Sequence, residues 1–323
     1  KKIKGNVAEK IFFRHHHASI AKIRKGIDMK IIGAGLAGLL AANVFQRAKV
    51  FEAGPEDQVN HKAVLRFRTD AVGAACGIEF RKVRVHKGLW MNGSFRSPSI
   101  QLANLYSQKV VGRLADRSVW HLDPVDRFIA PEDLVAQMAE RCGNRIEWGC
   151  QVEEVGNEKE PTISTIPMNV LARMLRCESP PEFSYEPIKV RRWHIPGADV
   201  FQTVYFPDPE TNLYRASITG SLLIAEYMDE ADNYDLFSPF GLTQAQCVEL
   251  DSVKQRYGKI APIDERWRRN FILNASVQHN IYSVGRFATW RNLILDSVLH
   301  DIHVVKKLVA GDRYSQYKHG HAK

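Results

Sequence analysis

Between Met29 and Glu52 the chain reads MKIIGAGLAGLLAANVFQRAKVFE, and this stretch constrains its folding more than any other. Lys30-Ile31-Ile32 is a short apolar strand that runs straight into Gly33-Ala34-Gly35-Leu36-Ala37-Gly38. An Ala- and Leu-rich helix is expected over Leu36 to Gln46, then a second strand from Ala48 to Phe51 that ends on Glu52. Strand, glycine turn, helix, strand and terminal acid in this order form a dinucleotide-binding fingerprint. Gly33 permits the tight turn. Gly35 lets backbone N–H groups approach a pyrophosphate, and Gly38 lets the helix pack closely on the strand. The helix N-terminus supplies positive potential for phosphates, donated through the amides of residues such as Leu36 and Ala37. Glu52, with Ala53 beside it, is placed to accept hydrogen bonds from a ribose hydroxyl pair. An acid there favours FAD or NAD over NADP.

Composition sharpens this picture mainly through where the charge lies. The net charge of +9 invites a nucleic-acid reading, but residues 1–28 hold eight Lys or Arg against Glu9 and Asp28. The remainder carries 37 basic and 34 acidic residues, so most of the excess comes from this leader. The leader lacks a long apolar core and is no secretory signal. It is compatible with a transit peptide, or with upstream sequence ahead of a natural start at Met29, and it is expected to be dispensable. A second basic concentration, Lys62 to Arg117, sets eleven basic residues against Asp70, Glu79 and Asp116. Within it Phe80 to Arg96 reads as a hairpin turning at Asn92-Gly93, with Val83 and Val85 on one face and Arg84 and His86 on the other. That outer face is either a solvated strand surface or a wall for an anionic substrate such as nucleic acid. The five cysteines form no CxxC pair, which fits a reducing, cytoplasmic compartment. No apolar run approaches the roughly 18 residues that span a bilayer.

Further along, a helix is expected over Pro131 to Arg141, a strand pair over Arg145 to Val155, and a short strand over Thr162 to Ile166. Residues 185–227 alternate like an antiparallel sheet, and Leu242 to Tyr257 carries helical periodicity. Asn280 to Val284 is a last strand, followed by a closing helix over Asn292 to Val309. The nucleotide-binding part is thus left and re-entered. The expected organisation is a leader (1–28), a discontinuous cofactor domain (29–75, 110–168 and 275–312), a substrate domain (76–109 and 169–274) and a tail (313–323).

Three more segments resemble the flavin amine oxidases and UDP-galactopyranose mutases. Gly285-Arg286-Phe287-Ala288-Thr289-Trp290-Arg291 sits between the last strand and the last helix, as a similar segment does where that superfamily closes its FAD site. Thr162 to Pro167 resembles its Thr-x-Pro loop, and Val204 to Asp208 with Tyr214-Arg215 resembles the substrate sheet of the mutases. The resemblance implies an α/β fold with a Rossmann-like, GR2-type FAD-binding domain and an inserted antiparallel β-sheet substrate domain. It implies non-covalent FAD and adds Arg66, Val152, Thr165, Gly285, Arg286, Thr289, Trp290, Arg291 and Asn292 as candidate cofactor contacts. Only Gly54 stands where the superfamily carries a Gly-Gly pair, and Arg66 with Arg68 (LRFRTD) occupies the following stretch. Trp290 and Asn292 replace the usual tyrosines.

The chain also resembles small flavoproteins encoded by phages that hypermodify thymine in DNA, which implies oxidative cleavage of an amino acid such as glycine joined to the thymine methyl group. An aminomethyl base and a keto acid would result, with molecular oxygen as acceptor and modified DNA, or a small amine or amino acid, as substrate. An arginine that binds a carboxylate bidentately is the expected anchor. Arg215, Arg84 and Arg66 are the candidates, with Trp290 as an aromatic at the reacting face and Trp90, Trp120, His121 and Tyr205 as possible lining. A mutase-like enzyme without net redox change, a flavin-dependent hydroxylase and an FAD-stabilised binding subunit remain alternatives.

Overall fold

The computed structural model describes residues 29–56, 66–116, 118–155 and 160–320. The leader with His15 to His17, and Lys62 and Arg117 of the basic segment, lie outside them. The chain opens with β1 (Lys30–Ile32), α1 (Leu36–Val44) and β2 (Lys49–Phe51), each within two residues of its expected place. Ile31, Leu39, Leu40 and Val50 are fully buried, and each such side chain contributes about 1.5–3 kcal/mol. β3 (Arg66–Phe67) and α2 (Ala71–Cys76) follow. The long β4 (Arg81–Met91) then turns at Asn92-Gly93 into β5 (Ser94–Phe95). Both turn residues have positive φ, as a two-residue hairpin requires. Val83 and Val85 point inward and Arg84 and His86 outward, as the alternation predicted.

The chain continues through α3 (Ile100–Val111), β6 (Val125–Ile129), α4 (Leu134–Cys142) and the two-residue β7 (Ile146–Glu147). The strand pair expected over Arg145 to Val155 is reduced to β7, because residues 150–155 run on beside Glu52 without a ladder. Then come β8 (Thr162–Ser164), α5 (Met168–Met174), β9 (Tyr185–His194), β10 (Val200–Tyr205), β11 (Leu213–Gly220) and β12 (Leu222–Tyr227). The helix expected over Leu242 to Tyr257 is instead β13 (Val248–Ile260), captured by the open edge of β9. Its expected stripe is split: Leu250 and Val253 are exposed, while Leu242 and Cys247, ahead of the strand, pack against the core of the second sheet. α6 (Glu265–His279), β14 (Ile281–Ser283) and α7 (Leu295–Gly320) complete the fold.

Two sheets organise these elements. The first is parallel throughout, in the order β14-β8-β1-β2-β7. It is buried among α1, α2, α4 and α7 in one apolar core. Buried Asn43 ties α1 to α4, donating to the Leu39 and Met138 carbonyls at 2.9 and 3.1 Å. The second sheet has nine strands, β13-β9-β12-β11-β10-β4-β6-β3 with β5 paired to β4, antiparallel except between β10 and β4. One face of its β9–β12 region packs under residues 231–247 through Trp193, Phe206, Leu223 and Tyr227. At the end of the opposite face, α3 covers Leu89, Tyr205 and Tyr214. The chain crosses between the two sheets four times, which places the ends of both sheets against one another.

Candidate cofactor cradle and substrate cleft

The first glycine turn is held by contacts that tolerate no side chain. Gly33 has φ +97° and donates its N–H to the Phe51 carbonyl at 2.8 Å. A Cβ there would lie 2.4 Å from Thr165 Oγ1, and one on Gly38 would lie 1.8 Å from the Gly33 carbonyl oxygen. Thr165 locks the turn from β8, its hydroxyl donating to the Ile32 carbonyl at 2.9 Å. Gly35 differs. A Cβ on it would meet nothing within 4 Å, and no side chain caps the start of α1. The first amides of that helix, Leu36 and Ala37 among them, thus border open space and form a cradle for an anion. Glu52 stands at its edge, accepting from Ala34 N at 2.6 Å and Gly54 N at 2.8 Å. Each carboxylate oxygen keeps a second lone pair for a hydroxyl donor. Ala53 is exposed beside it, and Cys150 N donates to the Glu52 carbonyl, which brings the strand-free segment with Val152 alongside.

The C-terminal motif closes onto this turn. Gly285, at φ +101°, lies so near α1 that a Cβ would meet Ala37 Cβ at 2.8 Å. Thr289 folds the loop back, donating its amide and hydroxyl to the Gly285 carbonyl at 3.0 and 2.7 Å. Arg291 pairs with Asp301 of α7, and Arg286 donates to the Gly258 carbonyl and to Asn292 Oδ1. Trp290 lies within the packing of the loop. It is buried, donates its indole N–H to the Ala261 carbonyl at 2.8 Å, and stands edge-on to Phe183. Its partners make it a packing residue of the loop. Arg268, which the sequence reading passed over, supports the loop by donating to the Thr289 carbonyl while paired with Glu265.

Beyond the loop, the second sheet presents a polar cleft. Tyr205, Arg215 and Glu226 are direct partners across β10, β11 and β12, so their side chains share one face. Arg215 forms a bidentate ion pair with Glu226, and Tyr214 donates its hydroxyl to the same carboxylate at 3.2 Å. A register irregularity between Leu213 and Arg215 lets neighbouring residues converge in this way. The Arg215 side chain keeps 42% of its surface, yet burial is the strongest single influence on its charge. The guanidinium is thus partly open to water while protein groups surround its ion pair. Burial opposes its charge and Glu226 more than restores it, holding Arg215 well above its usual basicity. Burial likewise opposes the Glu226 carboxylate, which Arg215 and the Tyr214 hydroxyl keep below its usual range.

Arg66 enters the same cleft from β3 rather than turning to the cradle. Its Nη1 donates to Thr203 Oγ1 on β10 at 2.8 Å, and Thr203 lies 3.2 Å from the Ser217 hydroxyl. Burial first, and the Arg215 charge second, push Arg66 down to about 10. Arg286 is near enough for the Tyr214 hydroxyl to influence its charge, and Lys259 stands over the Tyr214 ring at 4.8 Å. Two cations, Arg215 and Arg66, thus act on the Glu226 carboxylate, and two more, Arg286 and Lys259, stand near the tyrosine that completes it. The residues after β3 are pinned to the start of α7, where Asp296 accepts from Thr69 N and Oγ1. Arg84 is not part of this assembly. It lies on the opposite face of the sheet, with 59% of its side chain exposed, and shares Asp126 with Lys82. Arg81 beside it pairs with Asp199, so the outer basic face is largely neutralised at these positions.

Sequence reasoning missed Glu226, Thr203, Lys259 and Asp296. Glu226 left one trace, a lone carboxylate in the otherwise apolar LLIAEY. Among the described residues no group of three or more His, Cys, Asp or Glu side chains could hold a metal ion, and no helix is long and apolar enough to cross a membrane.

No protein-family model and no curated protein matches the chain. Solved structures do. The p-nitrophenol 4-monooxygenase PnpA of Pseudomonas putida DLL-E4 is 13% identical, with 90% of this chain and 81% of that one covered at a TM-score of 0.54. An oxidoreductase of Methanosarcina mazei is 10% identical over 87% of this chain and 100% of the other, also at 0.54. A Photorhabdus luminescens protein classed as an FAD-containing monooxygenase is 10% identical over 92% and 90%, at 0.50. At such identities the likeness speaks for architecture alone: this chain has an α/β fold with a Rossmann-like parallel sheet and a second, mixed sheet, as those structures do.

Proposed function

We propose that the protein is an FAD-dependent oxidoreductase that oxidises an amine or amino-acid substrate at a C–N bond. The observation that carries this reading is the meeting of Gly285 with Ala37, which joins both glycine motifs beside a cation-rich cleft. Open space at Gly35, the uncapped start of α1 and the Glu52 carboxylate suit the pyrophosphate and ribose of a non-covalent FAD. Gly33, Gly38 and Thr165 would hold the turn, and Gly285 to Asn292 the flavin end. Bound there, FAD would supply a two-electron acceptor for the carbon next to nitrogen and return the electrons to molecular oxygen as hydrogen peroxide.

The chain itself supplies binding and orientation. The arginines of the cleft favour a substrate that carries a carboxylate, and an amino acid meets that need. The finer reading is glycine joined through its amine to the thymine methyl group in DNA. Loss of two hydrogens across the glycine C–N bond leaves an imine, and water then releases an aminomethyl base and a two-carbon oxo acid. The basic segment between Lys62 and Arg117 would meet the DNA backbone, and its contacts would make binding fall with added salt.

The test is spectroscopic. Purified protein should be yellow and release intact FAD on denaturation. DNA bearing glycine-modified thymine should bleach the flavin without oxygen and yield an aminomethyl base and peroxide with it. A colourless protein, or one retaining only NAD, would overturn the cofactor reading. Flavin that reacts with a nucleotide sugar without consuming oxygen would replace the oxidase by a mutase-like enzyme. Oxygen incorporation into product would make it a hydroxylase, and flavin that no substrate reduces would leave a binding subunit.

A further inference from the structure

Two guanidinium groups face the cleft, and they are not equivalent. Arg215 already spends its Nε and Nη2 on the two oxygens of Glu226, and Tyr214 completes that carboxylate. The forked edge with which an arginine grips a carboxylate is therefore occupied from within the protein. Arg66 has no such partner. Among the described residues it donates to a neutral hydroxyl, Thr203 Oγ1, and no carboxylate forms an ion pair with it. Its nearest charged neighbours of note are Arg215 and Arg127, which repel it, and Glu226, which Arg215 has already taken. A partly buried guanidinium with an unfilled donor fork is costly to keep in a fold unless an anion completes it.

We propose that Arg66, rather than Arg215, is the anion anchor of the cleft: it binds the carboxylate of the substrate, and the Arg215–Glu226 pair is a positioning element that fixes a second positive charge beside it. Thr203 and Ser217 orient the Arg66 fork, as the chain of hydroxyl contacts at 2.8 and 3.2 Å shows. The depressed basicity of Arg66 agrees with a charge awaiting compensation. The assignment rests on the oxidoreductase reading for the identity of the substrate, but the binding of a carboxylate can be tested without it. It also decides between the two roles the sequence leaves open for Arg66, cofactor contact and substrate anchor, in favour of the second.

The experiment compares Arg66→Met, Arg66→Lys and Arg215→Met with the unaltered chain. Binding of acetate and of its neutral isostere acetamide is measured by calorimetry on the protein as purified, together with flavin content and melting temperature. Acetate should bind at least tenfold more tightly than acetamide, and Arg66→Met should erase that preference while flavin content stays at the wild-type level. Arg66→Lys should recover part of it, because the charge survives and the fork does not. Without ligand, Arg66→Met should melt at or above the wild-type temperature. Arg215→Met should melt lower, because Glu226 is left without its cation. Loss of flavin in Arg66→Met with acetate preference intact would place Arg66 on the cofactor and overturn the proposal, as would undiminished acetate binding in that variant. Should Arg66→Met fail to fold, Arg66→Lys decides: an unchanged acetate preference there would equally refute it. A wild type that binds acetate but no flavin would sink the oxidoreductase reading and leave the anchor standing.

Discussion

Gly35 and Gly38 belong to one motif, yet they should fail in opposite ways when each becomes alanine. The Gly38 Cβ would sit 1.8 Å from the Gly33 carbonyl oxygen and 2.9 Å from its carbon, against backbone that cannot swing aside like a side chain. Relief requires the turn to open by more than about 1 Å, an overpacking that costs about 1–3 kcal/mol. The same movement strains the Thr165 hydroxyl contacts to the Ile32 and Gly33 carbonyls and the Gly33 N–H bond to Phe51. Two such bonds lost add about 2 kcal/mol. Alanine returns about 1 kcal/mol through helix propensity, since Gly38 lies inside α1. The net loss is about 2–4 kcal/mol, which for a chain of this length lowers the melting temperature by about 3–6 °C. Gly35→Ala meets no atom within 4 Å, and its extended backbone suits any residue. Its apo-protein should melt within about 2 °C of wild type or slightly above, by the entropy that alanine removes from the unfolded chain. Its added methyl projects into the cradle, so FAD affinity should fall at least tenfold, or about 1.4 kcal/mol. The assay is thermal unfolding of flavin-stripped protein, paired with fluorescence titration of FAD. A Gly38→Ala protein as stable as wild type would refute the steric argument, and a Gly35→Ala protein with full FAD affinity would refute the cradle.

Three further outcomes follow from individual side chains. Trp290→Phe keeps the ring against Phe183 but leaves the Ala261 carbonyl without its donor, so chemical denaturation should show a loss of about 1 kcal/mol with FAD content kept. Arg268→Met removes the support of the Thr289 carbonyl and the pairing with Glu265. It should cost about 2–3 kcal/mol and weaken FAD binding through the loop, seen as faster flavin release on dilution. Lys109 donates to the Phe206, Asp208 and Leu213 carbonyls, and burial pushes its amine from 10.5 down to about 8. Between those values the unfolded chain holds the proton that the folded chain has shed, so this group's contribution to stability rises with pH from about 8 toward 10.5. Wild type should therefore gain on Lys109→Met between pH 7 and pH 9.5 in parallel denaturant titrations, and a constant difference would reject the assignment.

The parts of the fold that could be read from the sequence are those whose reasons are local. The β1–α1–β2 unit, the Asn92-Gly93 hairpin and the alternating strands of residues 185–227 each carry their cause within a few residues: a turn, a cap or a period. Segment 242–257 was read as a helix because Leu242, Cys247, Leu250 and Val253 recur at roughly helical intervals. The open edge of β9 overrode that weak preference, as tertiary pairing does for residues of mixed propensity. Helices α3 and α6 went unread although their stop and start signals were present. Ser99 caps α3 with Gly112 ending it, and Asp264 caps α6 with Asn280 ending it.

The candidate site divides along the same line. The cradle could be placed by reading alone, because glycines that forbid a Cβ and a strand-terminal acid are demands the backbone makes on single positions. The cleft could not, because its chemistry is relational. Arg66, Thr203, Arg215 and Glu226 lie on four strands separated by up to 160 residues, and only the register of the second sheet brings them together. Arg215 stands among three candidate anchors through the resemblance of its segment to the substrate sheet of the mutases. What the sequence could not reveal is that Glu226 stands directly opposite it and takes its fork. An arginine's identity says that it can bind a carboxylate; whether it still has one to bind depends on its cross-strand neighbour. By that criterion Arg84, shared with Asp126 on the outer face, and Arg215, held by Glu226, are both already answered, and Arg66 is the cation that asks for a ligand.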